Sequence, residues 1–248
     1  MDSHSENDKC NESPLFSLYS LFRCVKRTET IMQKINNIIL ANRIFFIGYF
    51  LFLITAICFL SFTTKVDGFF LLNSYHNKSL DLFFELYTNV GDGLFSLGIF
   101  VLLLFLRKPL PGWDIIFSFL LAGLMVQIVK NIFPMPRPKT LLEHSGYAHF
   151  IDGVTLVGHA SFPSGHTATA FSTAALLSIF TKNKKISLLY LLAALLVAYS
   201  RIYLAQHFLQ DVLCGSVIGI VAALIAYSRF DTAPAFIEKL KFVKKKKP

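Results

Sequence analysis

Charge is scarce in this chain of 248 residues. Only 16% are Asp, Glu, Lys or Arg, against roughly 25% in an ordinary soluble domain. With 54% hydrophobic residues and a mean hydropathy of +0.56, that shortage argues against a soluble globular protein. It also excludes intrinsic disorder, which needs low hydrophobicity and high net charge. Cysteine is sparse too. Cys10, Cys24, Cys58 and Cys214 form no CxxC pair and no metal-like spacing, so neither a disulfide framework nor a thiolate metal site is expected. Acidic residues are the rarer sign, 15 against 24 basic ones, for a net charge of +9. Binding nucleic acid would require a basic face on a polar fold, and no polar fold is present, so no nucleic-acid partner is expected. The first 30 residues carry Asp2, Glu6 and Asp8 before any apolar stretch and show no small-residue cleavage site, which argues against a secretory signal.

What the chain does have is apolar runs, with 26 Phe among them. Six segments stand at about 44–62, 87–106, 113–133, 165–181, 186–204 and 209–228. Each approaches the roughly 20 residues that cross a bilayer as a helix. The fold expected is all-α, a polytopic membrane protein with a six-transmembrane-helix bundle over 44–228. An N-terminal segment, 1–43, precedes it and a basic tail, 229–248, follows. Ile31, Ile35, Ile38 and Ile39 form one apolar stripe, which predicts an interfacial helix leading into the membrane. Leu80, Phe83, Phe84 and Tyr87 predict another between the first two spans. The fourth segment is rich in Ala, Ser and Thr, suited to close helix packing in lipid.

Cytoplasmic lysine and arginine outnumber those on the far side in membrane proteins. Placing both termini in the cytoplasm leaves only Lys65, Lys78, Lys130, Arg137, Lys139 and Arg201 outside, and puts every other basic residue, Lys244 to Lys247 included, inside. The outer connections are then 63–86, 134–164 and 203–208. Three of the outer cations, Lys130, Arg137 and Arg201, fall at helix ends, where a charge is costly unless it is used.

Three pieces of sequence meet on that outer face. The third segment ends Lys130-Asn-Ile-Phe-Pro-Met-Pro-Arg137-Pro138. The fourth opens Ser161-Phe-Pro-Ser164-Gly165-His166. The fifth and sixth join through Ser200-Arg201-Ile-Tyr-Leu-Ala-Gln-His207-Phe-Leu-Gln-Asp211. Lys130, Arg137 and Arg201 form a socket for a multiply charged anion, with Arg suited to bidentate phosphate contact. The backbone N–H groups at Ser164, Gly165 and His166 open a helix and add an anion site, and Gly165 permits close approach. His207 and Asp211 are one helical turn apart. The carboxylate can hold one imidazole nitrogen and leave the other as a nucleophile. His166 remains as general acid for the leaving oxygen.

These pieces resemble the signature of the phosphatidic acid phosphatase type 2 superfamily: Lys-x6-Arg-Pro, then Pro-Ser-Gly-His, then Ser-Arg-x5-His-x3-Asp, with every position present. Asn73-Ser-Tyr-His-Asn and Thr88-Asn-Val-Gly-Asp-Gly look like bacterial members. The resemblance implies that Lys130, Arg137 and Arg201 bind phosphate with Ser164 and Gly165. It implies that His207 forms a phosphohistidine, Asp211 orients it and His166 protonates the leaving group. It further implies a hydrolase of phosphorylated lipids with no metal and no cofactor. A bacterial inner membrane fits the short loops, with the active site on the periplasmic face. Undecaprenyl diphosphate, phosphatidylglycerophosphate, phosphatidate and lipid A are all open as substrates. A phosphotransferase, a non-catalytic phospholipid transporter and a vanadium haloperoxidase stand as rivals. His144, His149 and His159, and similarly His76, offer a metal site as one reading, but no carboxylate pattern supports it, and they read as solvated loop residues. Tyr147, Phe150 and Phe162 read as packing residues, with substrate contact as the alternative.

Overall fold

The computed structural model describes residues 32–142, 147, 149–151 and 153–230. The Thr30 end of the stripe-bearing segment, His144 and most of the basic tail lie outside these residues. A helix spans 32–41 (α1). The remaining helices are α2 Arg43–Phe62, α3 Lys65–Leu72, α4 Lys78–Tyr87, α5 Gly93–Phe105, α6 Pro109–Ile132, α7 Pro138–Leu142, α8 Gly165–Phe180, α9 Ser187–Tyr203 and α10 Leu209–Phe230. A short 3-10 turn, Thr88–Gly91, joins α4 to α5. No strand occurs among the described residues.

A helix covers each expected span, but the spans are not equal. Three helices, α2, α6 and α10, are long and apolar enough to cross a membrane. The segment expected at 87–106 is instead a broken pair, in which α4 and its 3-10 turn meet α5 at 58°; together they pass as a fourth span. Two glycines flank the break. Between them Asp92 adopts extended backbone (φ −79, ψ 154) and caps α5, its carboxylate accepting from the Leu94 amide at 2.9 Å. Of the two remaining helices, α9 is a shorter apolar one and α8 has 16 residues. The α8 helix sits at the centre, packed by α5, α6, α9 and α10, and nearly everything from Thr167 to Ser178 is buried. A helix wrapped in protein need not be as apolar as one wrapped in lipid. The outer helices carry the lipid-facing surface: Ile47, Leu51 and Ile54 on α2 and Leu120, Leu124 and Ile128 on α6 are exposed, at the i, i+3, i+4 spacing of a helix face.

Close approach shapes the site end of α10. An added Cβ at Gly215 would sit 2.5 Å from the Ser164 carbonyl oxygen, so only glycine lets α10 lie against the start of α8. This pairing delivers Asp211, four residues earlier, to the N-terminus of α8, where its carbonyl accepts from the Ser164 amide at 3.0 Å.

Candidate active site

Every residue singled out in the motifs arrives at one end of the bundle. Lys130 stands in the last turn of α6 and Arg201 in the last turn of α9. Ser164 caps α8, Gly165 and His166 begin it, and Asp211 lies in the first turn of α10. Arg137 precedes α7. His207 lies in the turn between α9 and α10 and is 2% exposed. Its amide and that of Gln206 both donate to the Arg201 carbonyl, at 3.1 and 3.0 Å, so the turn winds tightly from one cation to the imidazole.

The Asp211 carboxylate is the pivot. Its Oδ2 accepts from Ser161 Oγ at 2.6 Å and from the Phe208 amide at 3.0 Å. The same oxygen lies 3.5 Å from His207 Nδ1, and Ser161 Oγ also lies 3.5 Å from that nitrogen. A carboxylate facing Nδ1 favours the tautomer that carries its proton there, leaving the Nε2 lone pair free. Burial pushes the His207 imidazole down to about 4, the hydrogen bond to Asp211 only partly offsetting it. The ring is therefore neutral at pH 7, as a nucleophile must be.

Around it stand the cations. The Arg201 guanidinium is buried; it donates to Thr88 Oγ1 at 2.6 Å and to Gln206 Oε1 at 2.7 Å. Its Nε is buried and finds no acceptor among the described residues. Arg137 donates to the carbonyls of Gln206 and Ala160 at 3.2 and 3.3 Å. The charges of Arg137, Arg201 and Asp211 all act on the Lys130 ammonium. Ser164 turns its hydroxyl to the Thr167 amide and hydroxyl at 3.4 and 2.9 Å. Its role in the chain is that of an N-cap, and the free amides of α8 follow it.

His166 differs from His207 in exposure: the side chains are 32% and 3% exposed. Its Nε2 is 3.9 Å from Asp92 Oδ2, and the charges of Arg201 and Lys130 also reach it. The 3-10 turn thus touches both sides of the site. Thr88 holds Arg201, and Gly91 abuts α8 so closely that an added Cβ would be 2.8 Å from the His166 carbonyl oxygen.

Four contributors went unassigned in the motif reading: Ser161, Gln206, Thr88 and Asp92. All four lie inside quoted stretches, and Ser161 and Gln206, within the three motifs themselves, could have been marked as buried polar groups needing partners. Thr88 is 113 residues from the arginine it holds, and nothing local announces that pairing. Of the aromatics, Tyr147 packs on Phe69 and Phe150, with ring centroids 5.4 and 4.8 Å away, and Phe162 lies edge-on to Phe133. His159 is exposed.

Comparison with known proteins accords with this arrangement. Residues 111–234 match the model of the PAP2 superfamily. A lipid A 4'-phosphatase of Porphyromonas gingivalis is 29% identical over 170 residues, 64% of this chain and 70% of that protein. Lipid phosphate phosphatase 2 of Arabidopsis thaliana is 30% identical over 146 residues, and there the chain spans about half of the relative's length, 50%, with 48% of its own. Among solved structures, that of Aquifex aeolicus LpxE superposes with a TM-score of 0.59 at 32% identity, covering 67% of this chain and 96% of the other. With half its length in the family pattern and a shared helical frame, the chain is a membrane protein of the PAP2 superfamily.

Proposed function

We propose that the protein is an integral membrane lipid phosphatase that hydrolyses a phosphomonoester or diphosphate of a lipid through a phosphohistidine. The observation that carries this is the coupling of Asp211, Ser161 and a neutral His207 beside three converging cations. Binding alone would need the cations but not an oriented, uncharged imidazole, which favours catalysis over a transporter.

In the proposed sequence the phosphate enters the socket of Lys130, Arg137, Arg201 and the α8 amides at Ser164 and Gly165. His207 Nε2 attacks phosphorus, and the bond to the lipid oxygen breaks. His166, nearer the opening, protonates that oxygen as the lipid leaves. Water then attacks phosphorus, giving its proton to His166, and the phosphorus–nitrogen bond breaks, releasing phosphate and the free imidazole. Asp211 keeps its charge throughout and stabilises the cationic ring. The donors at this site are cations and amides, so charge neutralisation is supplied by the protein itself. Helices α2, α9 and α10 bound an apolar cleft of about 230 Å³, whose lining includes Phe52, Ile202, Leu209 and Val212, a place for methylenes rather than for a soluble phosphate.

Six spans with both termini in the cytoplasm of a bacterium and the site facing the periplasm complete the proposal, the 1–43 and 229–248 segments lying outside the catalytic domain. The test is phosphate release by purified protein from undecaprenyl diphosphate, phosphatidylglycerophosphate, phosphatidate and lipid A, with and without an alcohol acceptor and in excess chelator. Release without acceptor, persisting in chelator and reduced by several orders of magnitude in His207→Ala, is the expected result. Release that needs an acceptor identifies a phosphotransferase. Undiminished turnover in His207→Ala overturns the mechanism.

A further inference from the structure

A second cluster of ionisable groups lies apart from the phosphate socket, where His149 meets His76 of the α3–α4 connection. His76, Asp81 and His149 each present one potential ligand atom there, all within 4.8 Å of one another. Asp81 Oδ1 is at the centre, 3.1 Å from His149 Nε2 and 4.0 Å from His76 Nδ1. The two imidazoles stack with centroids 3.6 Å apart.

An unpartnered buried atom separates this cluster from an ordinary hydrogen-bond network. His76 Nε2 lies 2.9 Å from the Asn73 carbonyl oxygen. A carbonyl only accepts, so that nitrogen carries a proton, and Nδ1 is the ring atom left to meet another group. This Nδ1 is buried, has no hydrogen-bond partner and faces a carboxylate oxygen 4.0 Å away. A buried ring nitrogen and a carboxylate oxygen at that separation, with no hydrogen bond between them, leave a place for a positive group. The surroundings are those of a ligand set as well. Metal-bound histidines commonly donate their second N–H to a carbonyl, and ligating carboxylates are themselves hydrogen-bonded. Asn73 supplies the first feature, and the Tyr203 hydroxyl, donating to Asp81 Oδ1 at 2.7 Å, supplies the second.

We propose that His76, Asp81 and His149 form a binding site for a divalent transition metal of the zinc type, with the fourth position open to water. Tetrahedral bonds of about 2.0–2.1 Å place ligand atoms about 3.4 Å apart, between the two separations found here. Binding turns the Nε2 lone pair of His149 to the ion, its ring proton being carried on Nδ1, and Asp81 accepts the ion in place of the imidazole. The ion staples the outer loop to α4 and, through Asp81 and Tyr203, to the end of α9 that leads into the His207 turn. Its function is positional, and the reaction does not pass through it.

The experiment uses full-length, tag-free protein in detergent, stripped with chelator and titrated with Co²⁺ and Zn²⁺. The expected results are one ion per chain, visible Co²⁺ absorption of tetrahedral strength, and a rise in Tm on adding Zn²⁺. His149→Ala should weaken binding by more than the about 10–100-fold typical of an outer-shell loss, and His159→Ala should leave it unchanged. His149 is half-exposed, so this variant keeps its fold even if His76→Ala does not. No ion retained at micromolar Zn²⁺, or retention unaltered in His149→Ala, overturns the site. Because the readouts are stoichiometry, spectrum and Tm, the result stands whether or not phosphate release survives chelation.

Discussion

The two histidines of the socket differ by a few ångströms of surroundings, and their chemistry follows from that. His207 is enclosed and tied to Asp211; His166 stands closer to the opening beside Asp92. A general acid matters most for a poor leaving group. His166→Ala is therefore expected to slow an alkyl phosphate far more than an activated aryl phosphate, measured as kcat/KM on both; equal losses would make His166 a phosphate ligand instead. His207 also ties pH to stability. The folded chain keeps this imidazole neutral down to about pH 4, whereas an unfolded histidine protonates near 6.5. Unfolding takes up a proton between those values, so this contribution is complete above about pH 6.5, declines as the pH falls toward 4, and is flat below. The Tm of wild type should drop across that window more steeply than that of His207→Gln. The acid limb of kcat/KM should lie well below pH 6.5 for the same reason. Ser161 belongs to this scale too: losing a buried hydrogen bond to a charged group costs about 1.5–3 kcal/mol.

Between helices, small residues and caps decide where the reactive groups arrive. The Ser164 amide and carbonyl both meet α10, one bonded to the Asp211 carbonyl and the other against Gly215. Gly215→Ala should lower Tm and turnover together, since the new methyl can be seated only by moving the backbone at the start of α8. Gly123→Ala on α6 is the comparison, because nothing lies within 4 Å of its added Cβ; it should leave turnover unchanged and gain up to about 1 kcal/mol of helix propensity. A parallel loss in both variants would show that helix α10 is not held by that contact. At the opposite end of α8, Lys184 donates to the Ser178 and Ile179 carbonyls at 2.9 and 3.2 Å and to Asn42 Oδ1 at 2.7 Å. A residue counted among the cytoplasmic charges is thus also a helix cap, satisfying carbonyls that α8 leaves open.

For the molecule as a whole, the decisive property is direction across the bilayer. The socket and the His76, Asp81 and His149 cluster lie toward the α3–α4 and 134–164 connections, whereas Lys184 and its neighbours lie at the other end of α8. In a variant stripped of its native cysteines, Val157→Cys should react with an impermeant thiol reagent added to intact spheroplasts, and Lys182→Cys should not. Both positions are exposed, so access to reagent is set by the membrane alone. The opposite labelling would place the chemistry in the cytoplasm and would require a lipid substrate presented from that leaflet.

Composition and spacing by themselves determined that this chain is helical, that it lives in a membrane, and which eight residues to single out: apolar runs, and the offsets within each motif that holds Lys130, Arg137, Ser164, Gly165, His166, Arg201, His207 and Asp211, are local properties, readable wherever helix geometry dictates the outcome. The broken span at Gly91–Gly93, the grip of Thr88 on Arg201 and the meeting of His149 with Asp81 across 68 residues were decided only by tertiary structure. Those features depend on which helices become neighbours. Two positions far apart in sequence acquire a relation only when burial forces their unsatisfied polar atoms to find partners; Asp81 stands five residues from His76, whereas His149 meets both only through the fold.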